Sequence, residues 1–170
     1  MKKILSLLMA SLVLLLAGCG VSDQDVKDSI PTLSLETSGS TTEIPAYSYS
    51  WTVTNRWGNS ASMVADTAHP LEAQDDLTSL TLTAGAEAVL TFSKIPDSVS
   101  VVFWRADETD YESSTQVEAT YRDGSFVFTV PGADDGSTGS EAMVYSVTAL
   151  WNSYDDVSGT VTYAFTTAAA

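Results

Sequence analysis

The residues best suited to chemistry are carboxylates grouped in segments that the sequence predicts to be loops. Three groups stand out: Asp107, Glu108 and Asp110; Asp134 and Asp135; and Asp155 and Asp156. Carboxylate oxygens are ligands that Ca²⁺ prefers, and the ion takes about 6–8 oxygens. If two of these loops meet at one end of the fold, they predict a calcium site. The other interpretation is solvated loops, because none matches an ordered calcium-loop motif and the chain holds 22 acidic residues.

A second kind of chemistry would use His69, the single histidine, as a base. Asp66 lies close in sequence and could orient the imidazole, as in a Ser-His-Asp hydrolase. However, the sequence has no G-x-S-x-G turn for a nucleophile, and a histidine before a proline in a loop is usually structural. Zinc is also disfavoured, since it needs several His or Cys ligands. No catalytic residue is therefore assigned, and a hydrolase stays the second alternative.

Aromatic side chains offer a third kind of site, because their ring faces stack on sugars. Most of the tryptophans and tyrosines occupy alternating positions of predicted strands, which is typical of core residues. Trp57 and Tyr154 instead lie in predicted turns, and we expect both to be exposed. A carbohydrate-binding surface around them is the alternative to core filling.

The charge of the chain excludes one class of partner. The formal net charge of the 170 residues is −15, from 22 acidic and 7 basic side chains. Nucleic-acid binding needs a basic surface to neutralise phosphates, so we expect no nucleic-acid partner. The single cysteine, Cys19, excludes a disulfide within the chain. A domain of this length can be stabilised by its hydrophobic core instead.

The first residues carry the pattern of an export signal. Lys2 and Lys3 precede an apolar run over 4–16, which is too short to span a bilayer comfortably. Leu16-Ala17-Gly18-Cys19 at its end resembles the lipobox of bacterial lipoproteins. The resemblance implies cleavage before Cys19 and a diacylglyceryl group on its thiol, often with a further acyl chain such as palmitate on the new amine. An ordinary signal peptide with a chance cysteine is the alternative.

After the signal, short segments that alternate polar and apolar residues predict an all-β domain. Tyr47, Tyr49, Trp51 and Val53 share one face of the clearest strand, and residues 37–42 before it read as a loop. The predicted strands cover 32–36, 47–54, 63–65, 79–83, 88–93, 99–105, 116–121, 125–130, 142–151 and 160–166. Asp123-Gly124 is a two-residue hairpin signal. This pattern indicates an antiparallel β-sandwich, with at most one helical turn, within 71–80.

Two of these strands resemble strands of immunoglobulin-like and fibronectin type III domains. Tyr145-Ser146-Val147-Thr148-Ala149 resembles the Tyr-x-Val-x-Ala of their F strand, and Val102-Phe103-Trp104 resembles the C strand with its buried tryptophan. The order of Trp51, Trp57-Gly58 and His69-Pro70-Leu71 ahead of Trp104 also resembles a group of surface lipoproteins of Gram-positive bacteria. The resemblances imply an antiparallel immunoglobulin-like β-sandwich outside the cytoplasm.

These features predict three segments: a cleaved lipoprotein signal peptide (1–18), lipidated Cys19 with a flexible tether (19–30), and an immunoglobulin-like β-sandwich (31–170). The expected function is non-catalytic binding, with the membrane engaged through the lipid and an envelope protein or glycan as partner. A carbohydrate- or calcium-dependent ligand-binding protein is the first alternative, and no cofactor is expected unless Ca²⁺ binds. The location would be the outer face of a Gram-positive membrane, or the outer membrane of a Gram-negative cell.

Overall fold

Two β-sheets pack face to face in a computed structural model that describes residues 20–132 and 142–167. The five-stranded sheet contains, in spatial order, Ser40–Ile44 (β2), Leu33–Thr37 (β1), Glu87–Phe92 (β6), Ser125–Thr129 (β10) and Thr120–Arg122 (β9). The seven-stranded sheet contains, in spatial order, Ser60–Ala65 (β4), Ala46–Thr54 (β3), Val157–Thr167 (β12), Met143–Trp151 (β11), Ser98–Arg105 (β7) and Thr115–Val117 (β8). Its seventh strand, Thr78–Leu80 (β5), pairs with the C-terminal part of β12. A helix, Asp23–Ser29 (α1), precedes all the described strands.

The strand pairings confirm the all-β sandwich of immunoglobulin-like class. Every pairing is antiparallel except that of β5 with β12. The helical turn expected within 71–80 is present as a 3-10 turn at Gln74–Asp76, and a second 3-10 turn covers Tyr111–Ser113. Helical structure in the described residues is therefore confined to α1 and these two 3-10 turns.

The centre of the core is a row of two tryptophans and a glycine across three neighbouring strands. Gly159 of β12 pairs with Trp51 of β3 on one side and with Trp151 of β11 on the other. Both tryptophans are fully buried, and their rings meet edge to face with centroids 5.3 Å apart. Because Gly159 has no side chain, it leaves the space between the strands to the two indoles.

A second group of rings extends this core toward the other end of the sandwich. Tyr145 stacks on Phe165 with ring centroids 5.0 Å apart, and both are fully buried. Burial raises the pKa of Tyr145 to about 12, so its hydroxyl stays protonated. Tyr145 thus lies in the core, as its alternating position in a predicted strand indicates.

Two tight turns set the hairpin registers of the five-stranded sheet. Asp123 and Gly124 both have positive φ, at 52° and 89°, which fits the hairpin predicted there. Ser38 and Gly39 have the same signature, at 49° and 78°, and connect β1 to β2. The expectation of a loop over 37–42 is therefore wrong for its later part, where β2 begins at Ser40. The strand predicted over 116–121 is also wrong, because β8 and β9 belong to different sheets.

The flexible tether predicted over 19–30 is wrong for Asp23–Ser29, where α1 is docked on the sandwich. Ser22 caps the helix, exchanging hydrogen bonds with Asp25 in a capping box. Val26 is fully buried in the core, and Trp51 Nε1 donates a hydrogen bond of 2.9 Å to Ser29 Oγ. Within the described residues, no helix is long and apolar enough to cross a membrane.

Trp104 is buried, as the C-strand resemblance implies, but it lies outside the core between the sheets. It packs with Leu71 and Val144 in a separate cluster, apart from the core residues of its own strand. Since side chains alternate along β7, Val101 and Phe103 face the core and Trp104 faces away from it. The segment that contains Leu71 covers this corner of the seven-stranded sheet.

Replacing Val26 with Ala tests whether α1 is docked. We expect a loss of about 1–3 kcal/mol in the free energy of unfolding, because a buried side chain leaves a cavity. The exposed Gln24→Ala serves as the matched control and should change stability by less than about 0.5 kcal/mol. Urea unfolding of the purified variants gives both values. Equal stability of the two variants would mean that the segment is a tether after all.

Replacing Gly159 with Ala tests the tryptophan row. Gly159 has φ of 147°, and an added Cβ would collide with the Ser50 carbonyl oxygen and lie 2.9 Å from Cε3 of Trp51. We expect a loss of about 3 kcal/mol or more, from backbone strain together with overpacking. Gly132→Ala is the control, because its Cβ would meet only Ala84, at 3.9 Å. Thermal unfolding checks both, and a small effect at Gly159 would contradict the packing described.

Candidate functional site

The acidic loops lie at opposite ends of the seven-stranded sheet. In the β7–β11 pair, Arg105 lies opposite Met143 and Ser98 opposite Leu150. Residues 107–110 follow the end of β7, whereas residues 155–156 follow the end of β11. The ends of an eight-residue strand are roughly 25 Å apart. These two groups therefore do not share one site. Asp134 and Asp135 lie outside the described residues, so a calcium site that includes them stays a prediction.

In the loop after β7, the carboxylates contact groups of the same loop and so stabilise its conformation. Asp110 accepts a 3.0 Å hydrogen bond from the Glu112 amide and so caps the turn at Tyr111–Ser113. Glu108 accepts from the amides of Asp110 and Thr109, and these hydrogen bonds lower the pKa of Glu108. Asp107 forms an exposed ion pair of 3.3 Å with Arg105.

At the other end, Asp97 joins two loops and was not singled out from the sequence. Its carboxylate accepts hydrogen bonds from the backbone amides of Asn152 and Ser153 and from the Ser153 hydroxyl. The bond from the Asn152 amide is the largest cause of a lowered Asp97 pKa. Only the folded chain brings Asp97 next to these two residues, so no local sequence signal marks it.

Lys94 completes this end of the sandwich and corrects the expectation for Tyr154. Lys94 Nζ lies 3.1 and 3.0 Å from the two carboxylate oxygens of Asp156, and it lies over the Tyr154 ring, 4.3 Å from the centroid. The Tyr154 hydroxyl donates to the Ile95 carbonyl, and the ring is half-buried against the core. Tyr154 is therefore part of the packing, although its position in a turn suggested exposure. Asp155 is exposed.

Trp57 is exposed, as its place in a turn suggests. Its side chain is 66% exposed, in the β3–β4 hairpin where Gly58 has φ of 80°. The guanidinium carbon of Arg56 lies 4.8 Å from the centroid of the Trp57 ring. This pair forms a cation–π contact in the hairpin at one edge of the seven-stranded sheet.

His69 is part of a packed aromatic cluster on the outside of the seven-stranded sheet. Its ring stacks on Tyr111, with centroids 4.3 Å apart, and meets Trp104 edge to face at 4.8 Å. Its Nδ1 accepts a 3.3 Å hydrogen bond from the Leu71 amide. Asp66 accepts instead from the Thr67 amide, at 3.1 Å. In this arrangement His69 holds the covering segment against Trp104.

Metal-ligating side chains do not cluster in the part of the chain that the structure describes. No group of three or more His, Cys, Asp or Glu residues within 20–132 and 142–167 could hold a metal ion. Asp107, Glu108 and Asp110 contact groups of their own loop, and Asp97 and Asp156 contact residues of a second loop.

The outward face of the seven-stranded sheet differs from the acidic loops in the chemistry of its polar side chains. It presents hydroxyl groups on five neighbouring strands, and we call it the hydroxyl face. Its members are Ser60 and Ser62 of β4; Ser48, Ser50, Thr52 and Thr54 of β3; Ser158, Thr160 and Thr162 of β12; Thr148 of β11; and Ser98 and Ser100 of β7. All are exposed or half-buried. From β4 to β7, this face therefore extends over five neighbouring strands.

The strand register places these hydroxyls next to one another in rows. Ser50 lies opposite both Val64 and Thr160, and Thr162 lies opposite both Ser48 and Thr148. Some of the hydroxyls bond across strands, with 2.8 Å between the oxygens of Thr52 and Ser62 and 2.9 Å between those of Thr54 and Ser60. The rows follow from alternation, since most of the large apolar residues of these strands face the core and the intervening positions face outward.

The pH dependence of stability tests the role of Asp97. Because folding lowers its pKa, ionised Asp97 stabilises the fold above the pKa of the unfolded chain, about 3.9, and this contribution is lost as pH falls through the lower folded pKa. Asp97→Asn should therefore melt at a lower temperature than the parent near neutral pH. The difference should be constant above about pH 5 and shrink below about pH 4. A constant difference down to pH 2 would contradict this role.

Comparisons of the chain with protein-family models, curated proteins and solved structures find no match. The arrangement of the residues is therefore the basis for any proposed function.

Proposed function

We propose that this protein is a lipid-anchored, extracytoplasmic, non-catalytic binding module. The observation that carries the proposal is a difference between two sets of polar residues. His69 and the acidic side chains described above, apart from the exposed Asp155, form contacts within the fold, whereas the hydroxyl face is left open to solvent. Binding is the activity that an open, rigid sheet face serves best.

The lipid anchor is proposed from the Leu16-Ala17-Gly18-Cys19 motif, which lies outside the described residues. The docked helix adds a consequence for that anchor. Val21 already packs against the core and Ser22 caps α1, so only Gly20 separates Cys19 from the folded domain. With acyl chains on Cys19, the domain would lie directly at the membrane surface instead of at the end of a tether.

Such a short anchor would suit a binding module, because it confines the domain to a thin layer above the bilayer. Confinement raises the effective concentration toward other envelope components, so that weak contacts suffice. The acidic domain would be repelled by anionic headgroups, and stable attachment would depend on two or more acyl chains.

Crosslinking in living cells tests this proposal, with Cys19→Ser as the control. The intact lipoprotein should incorporate a palmitate analogue, sediment with membranes and yield a reproducible crosslinked envelope component, either protein or glycan. The Cys19→Ser chain should lose the label and the crosslink, because it lacks the anchor. An unlabelled wild-type protein would contradict the anchor, and a membrane-bound protein without any crosslinked component would contradict the binding role.

A further inference from the structure

We propose that the hydroxyl face binds a neutral polysaccharide chain. This inference rests on the proposed binding function and specifies the ligand class and the surface. It begins from the distribution of charge over the two outward sheet faces, which are built by the same alternation of side chains.

The outward face of the five-stranded sheet carries charges, as expected for an exposed surface of an acidic protein. Glu36 and Glu43 point outward from β1 and β2, and Glu87 and Arg122 form an ion pair of 2.8 Å on β6 and β9. The hydroxyl face presents no charged residue: Arg105, the one charged residue in its five strands, ends β7 on the same side as Val101 and Phe103, which is the opposite side from the hydroxyls. With 22 acidic residues in the chain, this neutrality distinguishes the two faces.

Neutrality restricts the ligand. A cationic partner would be recognised by carboxylates, which this face lacks, and an anionic polymer would be repelled by a chain of net charge −15. A neutral partner rich in hydroxyl groups fits, because each Ser or Thr hydroxyl both donates and accepts hydrogen bonds. Neutral polysaccharides have this chemistry along their whole length.

The shape of the face fits an extended chain. From β4 to β7 the face covers five neighbouring strands, or roughly 19 Å at about 4.8 Å per strand spacing. Val64, which is 70% exposed, and the half-buried Leu150 lie in the same row as Ser50, Thr160 and Ser98. These two apolar side chains offer contacts to the C–H surfaces of sugar rings, between hydroxyls that contact the sugar oxygens.

A pelleting assay with insoluble polysaccharides tests the inference. The lipoprotein, purified in detergent, is mixed with cellulose, chitin, an insoluble β-1,3-glucan or an insoluble α-glucan, and the bound fraction is measured over a range of concentrations. We expect saturable binding to at least one of these neutral polymers. Retention of none of them would overturn the proposal.

Charges placed on the two faces give matched variants. Ser50→Glu with Thr160→Glu puts two carboxylates on adjacent strands of the hydroxyl face and should weaken binding by at least about tenfold. Thr41→Glu with Thr91→Glu adds the same charge to the other sheet and should leave binding unchanged. Equal binding by both double variants would overturn the proposal.

A gentler variant keeps the test valid if the paired glutamates prevent folding. Thr52→Val, Thr160→Val and Thr162→Val together remove hydroxyls but keep the β-branched shape, and should weaken binding about threefold to tenfold. Unchanged binding by this variant would contradict hydrogen bonding between these hydroxyls and the sugar.

The proposal also fails if light scattering shows a dimer that the Ser50→Glu change dissociates, because the face then joins two copies of the chain. A crosslinked protein partner in cells without polysaccharide binding would overturn this inference while leaving the binding function intact.

Discussion

The packing of Trp51 against Trp151 across Gly159 is the interaction on which the rest of the structure depends. It fixes the register of three central strands, since the two indoles fit only if a glycine lies between them. It also ties distant segments to the core, because Trp51 Nε1 bonds to Ser29 of α1 and Trp151 Nε1 bonds to the Lys94 carbonyl, at 3.1 Å. The helix and the loops at one end therefore take their positions from this row.

The same row determines what faces outward. Because Trp51 and Val53 of β3 face the core, Ser50 and Thr52 must face solvent. In β12, Val161 faces the core, and its chain neighbours on either side face solvent for the same reason. The hydroxyl face is thus the reverse side of the aromatic core. Its lack of charge does not follow from alternation, because the five-stranded sheet alternates in the same way and carries Glu36 and Glu43 on its outside.

How far the sequence predicts this fold depends on the range of the interactions involved. Alternation over 47–54 and the Asp123-Gly124 signal are local, and they place β3 and the β9–β10 hairpin correctly. The start of β3 departs from the predicted alternation. A register shift in its pairing with β12, between Thr162 and Tyr163, leaves Ala46 packed against the core, whereas the Tyr47 hydroxyl donates to the Ala68 carbonyl. The helix α1 has a single buried residue, Val26, so its apolar periodicity is too weak to predict, although Ser22 and Asp25 carry a capping signal.

The candidate sites were harder to predict for the same reason. Which end of the sheet receives each acidic loop depends on strand order, which the spacing of Asp107 and Asp155 does not contain. Asp97 and Lys94 act on residues more than fifty positions away, and Tyr154 is held by Lys94. The outward hydroxyls of the strand over 47–54 were visible as alternating Ser and Thr. That they continue through β12, β11 and β7 follows only from the pairing of the strands.

The functional account combines a short lipid anchor with one neutral face, and the direct test is to ask which face meets the envelope. A photoreactive amino acid at the exposed Val64 of the seven-stranded sheet is compared with the same residue at Glu43 of the other sheet, in living cells carrying the full-length lipoprotein. The account predicts crosslinked products from position 64 and few or none from position 43. Equal yields from both positions, or products from position 43 alone, would contradict it.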